Sequence, residues 1–437
     1  MGQAIALSVQ AMAIVLFAMG IAAFVSLLKG SLLLRRMARA GRQDCGPVIL
    51  KSPLVPAVST IAAPPDASAE SLRFTRRLLD LHFGRNEVVI VLDGPSEAEL
   101  EVWSREFRLC ASTRVIEKTL PTAAVRGVYE SQDPVRVVVI DKEWGGSVDA
   151  WNAGVNASTS PVLGLLDPET DFIPEVLLRL IQPMLEAADE TIAVSGGVSA
   201  PPAEGMAAQF GALESLRAWL TRGAAFATRN MTLPFSGSSL LVRRASVVNA
   251  GGFTAGPLEL FVRLHGLALA AGKPYRIAFL PEPVSHARTP RTLGELRVQV
   301  ESDQQEIVHA FLHRVALAGP FGWSTMRGLF YLRAVRPVLE IAAYGLAIFG
   351  LIAGRVDIYT VLLVFLATVG MGMVLSMAAV VLREVAEPNS PDERRMAAMF
   401  FAAIPENFGY RQLRSLWLIA GFRKWGRPKK ENRGGTA

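Results

Sequence analysis

The first 28 residues contain no charged side chain, and this run constrains the chain more than any other feature. As a helix it is long enough to cross the roughly 30 Å of hydrocarbon in a bilayer. Basic residues follow the run instead of preceding it, which favours a membrane anchor over a cleaved signal peptide. Five of them, from Lys29 to Arg42, come before the first acid, Asp44. The positive-inside rule therefore predicts an external amino terminus and a cytoplasmic remainder.

Two more apolar runs lie near the other end, at 337–354 and 358–382. Only Arg355 and Asp357 carry charge between them, so the sequence predicts a transmembrane helical hairpin with an external turn. Glu340 interrupts the first run close to its start. At that position we expect its carboxylate to snorkel to the membrane interface.

The last segment is apolar but broken by Pro405, Glu406, Arg411 and Arg414, which is typical of interfacial amphipathic helices and not of a fourth span. The predicted organisation has five parts. These are a transmembrane anchor with a basic flank (1–42), an α/β domain (43–315), an interfacial linker (316–336), a transmembrane hairpin (337–382), and interfacial helices with a basic cytoplasmic tail (383–437).

Composition excludes several classes of function. Lysine and arginine number 45 against 39 acids, and no basic block interleaved with aromatic residues occurs in the middle of the chain, so nucleic acid is not an expected partner. The two cysteines, Cys45 and Cys110, form no metal-ligand spacing. Neither a disulfide framework nor a zinc site is predicted.

Within 43–315, short apolar β-branched runs alternate with helical patterns. This predicts an α/β fold, a Rossmann-like, mainly parallel sheet with helices on both faces. Asp93 and Asp167 follow two of the strands, and ligands of such sheets bind at the carboxyl ends of strands. The sequence lacks both GxGxxG after the first strand and a P-loop, which argues against dinucleotide and P-loop chemistry. FSGSSL around Ser236 is not a hydrolase GxSxG elbow.

The order of these segments resembles the GT-A domain of membrane-bound family 2 glycosyltransferases, the group of hyaluronan, chitin and cellulose synthases. IAAPPDAS places Asp66 where the family has a glutamate. VIVLDGPSE is similar to the family's VVDDGSTD through Asp93 and Gly94. The resemblance implies that these positions contact the nucleoside of a nucleotide diphosphate sugar.

GGSVDAWNAGVNAS aligns without a gap on the family's GGKADALNAGI through Asp149 and Asn152, which the resemblance places beside the bound nucleotide sugar. Ser147 replaces the lysine expected near the diphosphate. VLGLLDPET stands where the family has its DxD motif, with Asp167 and Glu169 as the pair. Two such carboxylates imply Mg²⁺ or Mn²⁺, because a divalent ion must bridge the nucleotide's phosphates.

FSGSSLLVRRASVVNAGGF matches a further family segment, and the acceptor side is expected around Gly237 and Trp219. The general base of the family is an aspartate in an ED pair, which falls here on Gly256 and Pro257. Glu259 remains as the candidate catalytic base, provided that the preceding loop is rearranged.

A second departure lies at the family's QxxRW motif, where Ser302 and Asp303 replace the arginine and the tryptophan. Asp303 would place a negative charge near a diphosphate. Because of these substitutions, the sequence supports the fold more strongly than it supports ordinary catalysis.

The leading hypothesis is an inverting, hexosyltransferase-type enzyme of the inner (plasma) membrane with a cytoplasmic catalytic domain. It would transfer sugar to a glycan or lipid-linked acceptor in polysaccharide or envelope glycan synthesis, in contact with membrane lipids and other synthesis subunits. The alternative is a catalytically impaired scaffold or regulatory subunit of such a complex. A transporter is disfavoured, because three spans without paired intramembrane charges provide no pathway.

Overall fold

The computed structural model describes residues 2–40, 52, 54–132, 137–199, 205–235, 237–314, 331–386 and 393–423. Its helices are α1 (Gly2–Ala40), α2 (Ala69–Leu79), α3 (Glu97–Phe107), α4 (Ser147–Ala157), α5 (Val176–Glu186), α6 (Met206–Ala218), α7 (Ala225–Ala227), α8 (Arg244–Asn249), α9 (Pro257–Ala271), α10 (Leu293–Arg314), α11 (Arg336–Ile352), α12 (Ile358–Phe365), α13 (Met371–Ala386), α14 (Glu393–Pro405) and α15 (Arg411–Arg423). Short π-helical turns occur at Trp219–Ala224, Tyr331–Val335, Leu366–Gly370 and Glu406–Tyr410.

The described strands form one sheet in the order β3-β4-β5-β2-β1-β6-β9-β8-β10-β7. They are β1 (Val58–Ala62), β2 (Asn86–Asp93), β3 (Leu109–Ala111), β4 (Val125–Ser131), β5 (Val137–Lys142), β6 (Val162–Leu165), β7 (Thr170–Phe172), β8 (Thr191–Ser199), β9 (Leu240–Arg243) and β10 (Arg276–Ala287).

The centre of the sheet is parallel. Strand β1 pairs in parallel with β2 and β6, and β2 pairs in parallel with β5. Strand β9 runs antiparallel between β6 and β8, and β4 and β7 are antiparallel to their neighbours near the two edges. The predicted α/β fold is confirmed, and the antiparallel strands make the sheet mixed.

Both faces of the sheet are covered, as β2 illustrates. Val89 and Val91 belong to a core with helices α4 and α9, whereas Val88 and Ile90 belong to a core with α2, α3 and α5. Successive side chains of a strand point to opposite faces, so an uninterrupted run of β-branched residues serves both cores. Trp103 of α3 is fully buried in the second core.

Three described helical segments are long and apolar enough to cross a membrane: Gln3–Met37, Arg333–Ile352 and Ile358–Glu384. The prediction that Glu340 snorkels is wrong. Its side chain is 3% exposed, and its Oε1 accepts a hydrogen bond from Arg411 Nε of α15 at 2.8 Å. A cationic partner from another helix removes the need to reach the interface.

A further core joins these apolar helices to the α/β sheet. It contains Leu27 of α1, Leu213 of α6, Phe279 of β10, Ala379 of α13 and Met399 of α14. The apolar helices and the sheet therefore share buried side chains in one continuous structure.

A buried histidine in this fold has a depressed pKa. His265 of α9 lies 2.9 Å from the Thr232 carbonyl through Nε2 and 3.0 Å from the Tyr275 hydroxyl through Nδ1. Burial lowers the pKa of His265 from 6.5 to about 4, although the hydrogen bond to Thr232 opposes the shift.

We expect this histidine to make stability depend on pH. The unfolded chain binds a proton at His265 near pH 6.5 but the folded chain only near pH 4. The contribution is thus complete above pH 6.5 and is lost as the pH falls toward 4, by up to about 3 kcal/mol. Unfolding of the detergent-solubilised full chain across this window tests it. His265→Gln should flatten the slope relative to the exposed control His82→Gln, and an unchanged slope would contradict the assignment.

Candidate functional site

The acidic residues predicted for the site follow strands that run in the same direction. Asp66 follows β1, Asp93 ends β2 and Asp167 follows β6. Because β1, β2, β5 and β6 pair in parallel, their carboxyl ends meet at one edge of the sheet. Ligands of α/β sheets bind at this edge.

A buried lysine joins two of the predicted acids. Lys142, the last residue of β5, is fully buried; its Nζ contacts Asp93 Oδ1 and lies 2.6 Å from Asp149 Oδ1. Asp93 also accepts hydrogen bonds from the amides of Gly145 and Gly146, at 2.9 and 2.7 Å. Asp93 is thus held by a cation and by the two glycine amides that immediately precede α4. Sequence reasoning missed Lys142, whose signal is a lysine that ends the strand VVVIDK after four apolar residues and an aspartate.

Gly94 and Ser147 lie beside this ion pair. Gly94 has φ +66°, and a Cβ there would lie 2.8 Å from the Cβ of Trp144, so both the backbone and the space require glycine. Ser147 is the exposed first residue of α4, and Gly146 before it caps the helix without a side-chain hydrogen bond. The position of the family's lysine therefore carries a short, uncharged side chain at a helix start.

Two residues predicted to contact the nucleotide, Asn152 and Asp66, form side-chain hydrogen bonds within the protein. Asn152 is buried; its amide donates to the Phe253 carbonyl at 3.0 Å and accepts from the Phe253 amide at 2.7 Å. It fastens α4 to the loop before α9, which differs from the expected nucleotide contact. Asp66 is exposed, and hydrogen bonds from Ser68 and Ser71 hold the pKa of its carboxyl below the usual value.

A cleft of about 250 Å³ opens near Asp167, and its lining includes Gly237, Trp151, Pro257 and Glu306. Asp167 accepts hydrogen bonds from the backbone amides of Glu169, at 2.8 Å, and of Gly237. Burial nevertheless raises the pKa of Asp167. The cleft thus has a partly desolvated carboxylate at a strand end.

The predicted metal ligands are adjacent but differ in exposure. Asp167 lines the cleft, whereas Glu169, two residues further on, is exposed. Within the described residues, no group of three or more His, Cys, Asp or Glu side chains is arranged to hold a metal. Two carboxylates suit Mg²⁺ or Mn²⁺ when phosphate and water complete the coordination. The donor set therefore fits a metal that arrives with a phosphorylated ligand.

Of the two residues expected on the acceptor side, only Gly237 lines the cleft. Trp219 is buried in the core shared with the apolar helices, and its indole N–H donates to the Pro281 carbonyl at 3.3 Å. Trp219 is a packing residue in this fold.

Glu259, the expected base, is fully buried. It forms an ion pair with Arg263, 2.8 Å from Oε1 to Nε, and Arg263 donates to the Gly252 carbonyl at 2.6 Å. A general base must reach the hydroxyl that it deprotonates. Glu259 does not meet this requirement, and its charge instead fixes Arg263 against the loop before α9.

A different carboxylate occupies the start of α9. Glu306 of α10 lines the cleft, and its Oε1 accepts a hydrogen bond from the Leu258 amide at 3.1 Å. A Cβ on Gly256 would lie 2.5 Å from the same oxygen, so glycine makes room for the carboxylate. The sequence signal was a Gly-Pro pair at a helix start, which leaves both space and unpaired amides.

The chain and its structure were compared with known protein families, curated proteins and solved structures. No protein-family model matches the chain, and no curated protein matches it. The structure is similar to the mannosyltransferase PcManGT from Pyrobaculum calidifontis, solved in complex with GDP-Man and Mn²⁺, with a TM-score of 0.51, 15% identity, and coverage of 91% of this chain and 99% of that one.

Two further solved structures are less similar, with TM-scores below 0.5. Glucosyl-3-phosphoglycerate synthase from Mycobacterium tuberculosis has a TM-score of 0.38, 15% identity, and coverage of 64% and 84% of the two chains. S. aureus TarS has a TM-score of 0.35, 13% identity, and coverage of 82% and 91%. The mixed sheet with both faces covered and the similarity to the mannosyltransferase show a GT-A-like fold.

We expect Lys142→Met to destabilise the protein by roughly 3–5 kcal/mol, because it leaves Asp93 and Asp149 without their buried cation. Denaturant unfolding of the solubilised full chain measures the loss. Lys118→Met, at an exposed lysine, is the matched control. Adding Asp149→Asn to Lys142→Met should recover part of the stability, since one uncompensated charge is removed. Equal stability of Lys142→Met and the control would contradict this.

Proposed function

We propose that the protein is a membrane-anchored glycosyltransferase that transfers a hexosyl group, with inversion, from a nucleotide diphosphate sugar to a glycan or lipid-linked acceptor. The observation that carries this proposal is the position of Asp167 in a cleft at the carboxyl edge of a GT-A sheet. Asp93 and Gly94 at the same edge are proposed to hold the nucleoside, with Asp66, Ser147 and Asp149 around them.

Asp167 and Glu169 are the proposed ligands of Mg²⁺ or Mn²⁺. A divalent ion bound there would neutralise the diphosphate leaving group. Asp167 is preorganised for this role, because amides of Glu169 and Gly237 fix its carboxylate. The Mn²⁺ in the mannosyltransferase complex supports the choice of a hard divalent cation.

We assign the general base to Glu306 in place of Glu259. Its carboxylate shares the cleft with Asp167 and lies at the helix start where the family's acidic pair would stand. There it can accept the proton of an acceptor hydroxyl as that oxygen attacks the sugar. The Leu258 amide holds the carboxylate in place between turnovers.

The membrane arrangement follows the charge pattern. We propose that α1 and the hairpin of α11 to α13 span the inner membrane, with the amino terminus and Arg355 outside and Asp93 and Asp167 in the cytoplasm. Membrane lipids and other synthesis subunits are the proposed partners. Accessibility labelling of introduced cysteines tests the orientation, and external labelling of the cleft would overturn it.

A second candidate function is a non-catalytic scaffold or regulatory subunit of a polysaccharide-synthesis complex. Ser147 in place of a lysine favours it, as does the commitment of Lys142 to Asp93 and Asp149. Both leave fewer cations for a diphosphate.

The two functions separate in a binding experiment. Calorimetry of the solubilised full chain against UDP and GDP, with and without Mn²⁺, should show metal-dependent binding, which Asp167→Asn removes. The matched control is Asp189→Asn, at an exposed aspartate before the start of β8. Absence of binding and of transfer with any nucleotide sugar would favour the scaffold.

Glu306→Gln should lower the transfer rate by roughly 10²- to 10⁴-fold, the usual contribution of a general base. Nucleotide binding should stay nearly unchanged, because the base acts on the acceptor. Glu259→Gln and the exposed Glu295→Gln on α10 serve as comparisons, read by initial rates on folded protein. Full activity of Glu306→Gln would show that another group takes the proton.

A further inference from the structure

A second cavity, of about 190 Å³, lies between the apolar helices and the helices that follow them. Ala23 and Leu27 of α1 line one side and Leu375 of α13 another, so the cavity is bounded by helices suited to a membrane. It is nevertheless highly charged. Among the residues that the structure describes, six arginines line it, and we call them the arginine cluster: Arg217, Arg222, Arg333, Arg336, Arg411 and Arg414.

Four arginines of the cluster have an acidic partner. Three pairs use the glutamates of the cavity wall and one uses an acid of α10. The pairs are Arg411 with Glu340 at 2.8 Å, Arg217 with Glu406 at 2.5 Å, Arg414 with Glu214, and Arg222 with Asp303 at 4.0 Å. A buried charge is costly unless it is paired, so these four are accounted for.

Arg333 and Arg336 remain. Within the part of the chain that the structure describes, Nη1 of Arg333 and both Nε and Nη2 of Arg336 are buried without a hydrogen-bond partner. Both side chains line the cavity. The cavity therefore carries two surplus positive charges and several unused donors.

We propose that this cavity binds a phosphate monoester group, supplied either by a lipid headgroup or by a soluble phosphate compound. A dianion matches the two surplus guanidinium charges, and its oxygens match planar donors that bind phosphate in a bidentate manner. A cavity of about 190 Å³ also has room for a phosphate with hydrating waters, since one water occupies about 30 Å³. This site is separate from the cleft at Asp167 and does not rest on the proposed transfer reaction.

Binding is tested on the full chain in nanodiscs. One arm adds inorganic phosphate to discs of phosphatidylcholine, and the other compares these discs with discs that also contain phosphatidic acid. The unmutated protein should bind inorganic phosphate in calorimetry, unfold at a higher temperature with phosphatidic acid, or both. Stabilisation by phosphatidic acid alone assigns the site to a lipid headgroup, and binding of inorganic phosphate assigns it to a soluble compound.

The double variant Arg333→Met/Arg336→Met should weaken either response by about tenfold or more, the effect of losing charge-assisted hydrogen bonds. Arg336→Lys should give an intermediate loss, because it retains charge but not the planar donor fork. Arg355→Met, in the exposed turn after α11, should bind as the unmutated protein does. Asp167→Asn should also retain this binding, which separates the result from the fate of the transferase proposal.

Stability without phosphate provides an independent readout. The double variant should then unfold at the same temperature as the unmutated protein or higher, because removing uncompensated buried charge relieves a cost. A purely structural role for the two arginines would produce the opposite, a large loss of stability without ligand. Failure of both phosphate sources to bind, or undiminished binding by the double variant, would overturn the proposal.

Discussion

The burial of Lys142 between Asp93 and Asp149 is the constraint on which the candidate site depends. An ammonium group without solvent exposure is costly unless carboxylates pair with it, and separating them costs several kcal/mol. The ends of β2 and β5 and the first turn of α4 must therefore stay in register. Through α4, Asn152 carries the same constraint to the loop at Phe253 and so to the start of α9. A single ion-paired group thus positions both the proposed nucleoside side and the proposed base side of the cleft.

The parts of the structure that could be predicted from sequence are those set by local pattern. Continuous β-branched runs such as β2 identify strands covered on both faces, and parallel topology then places Asp93 and Asp167 at one edge. The contacts that could not be predicted from the sequence join residues that are far apart in it. Glu306 reaches Gly256 only because α10 packs on α9, and Arg411 reaches Glu340 across 71 residues. The ion pair of Glu259 is different, because its partner Arg263 lies four residues on, one turn along the same helix. That spacing could have been recognised in the sequence as a helical ion pair.

Charge is distributed in two contrasting ways in this molecule. At the sheet edge, Lys142 is paired with two acids, so this group has a net negative charge, and Asp167, a proposed metal ligand, lies at the same edge. At the arginine cluster the balance is positive, and guanidinium donors outnumber the acids that face them. The two regions would therefore attract opposite ligands. Natural proteins tolerate such uncompensated buried charge at sites where a ligand completes it.

The core that contains Leu27, Phe279 and Ala379 also couples the position of α1 mechanically to the sheet. If α1 spans the bilayer as proposed, any tilt that a thicker or thinner membrane imposes on it acts directly on β10 through close-packed side chains, which transmit strain because they compress little. The same contact means that excising α1 exposes Phe279 and its neighbours to water, so the α/β domain released from its helices would aggregate.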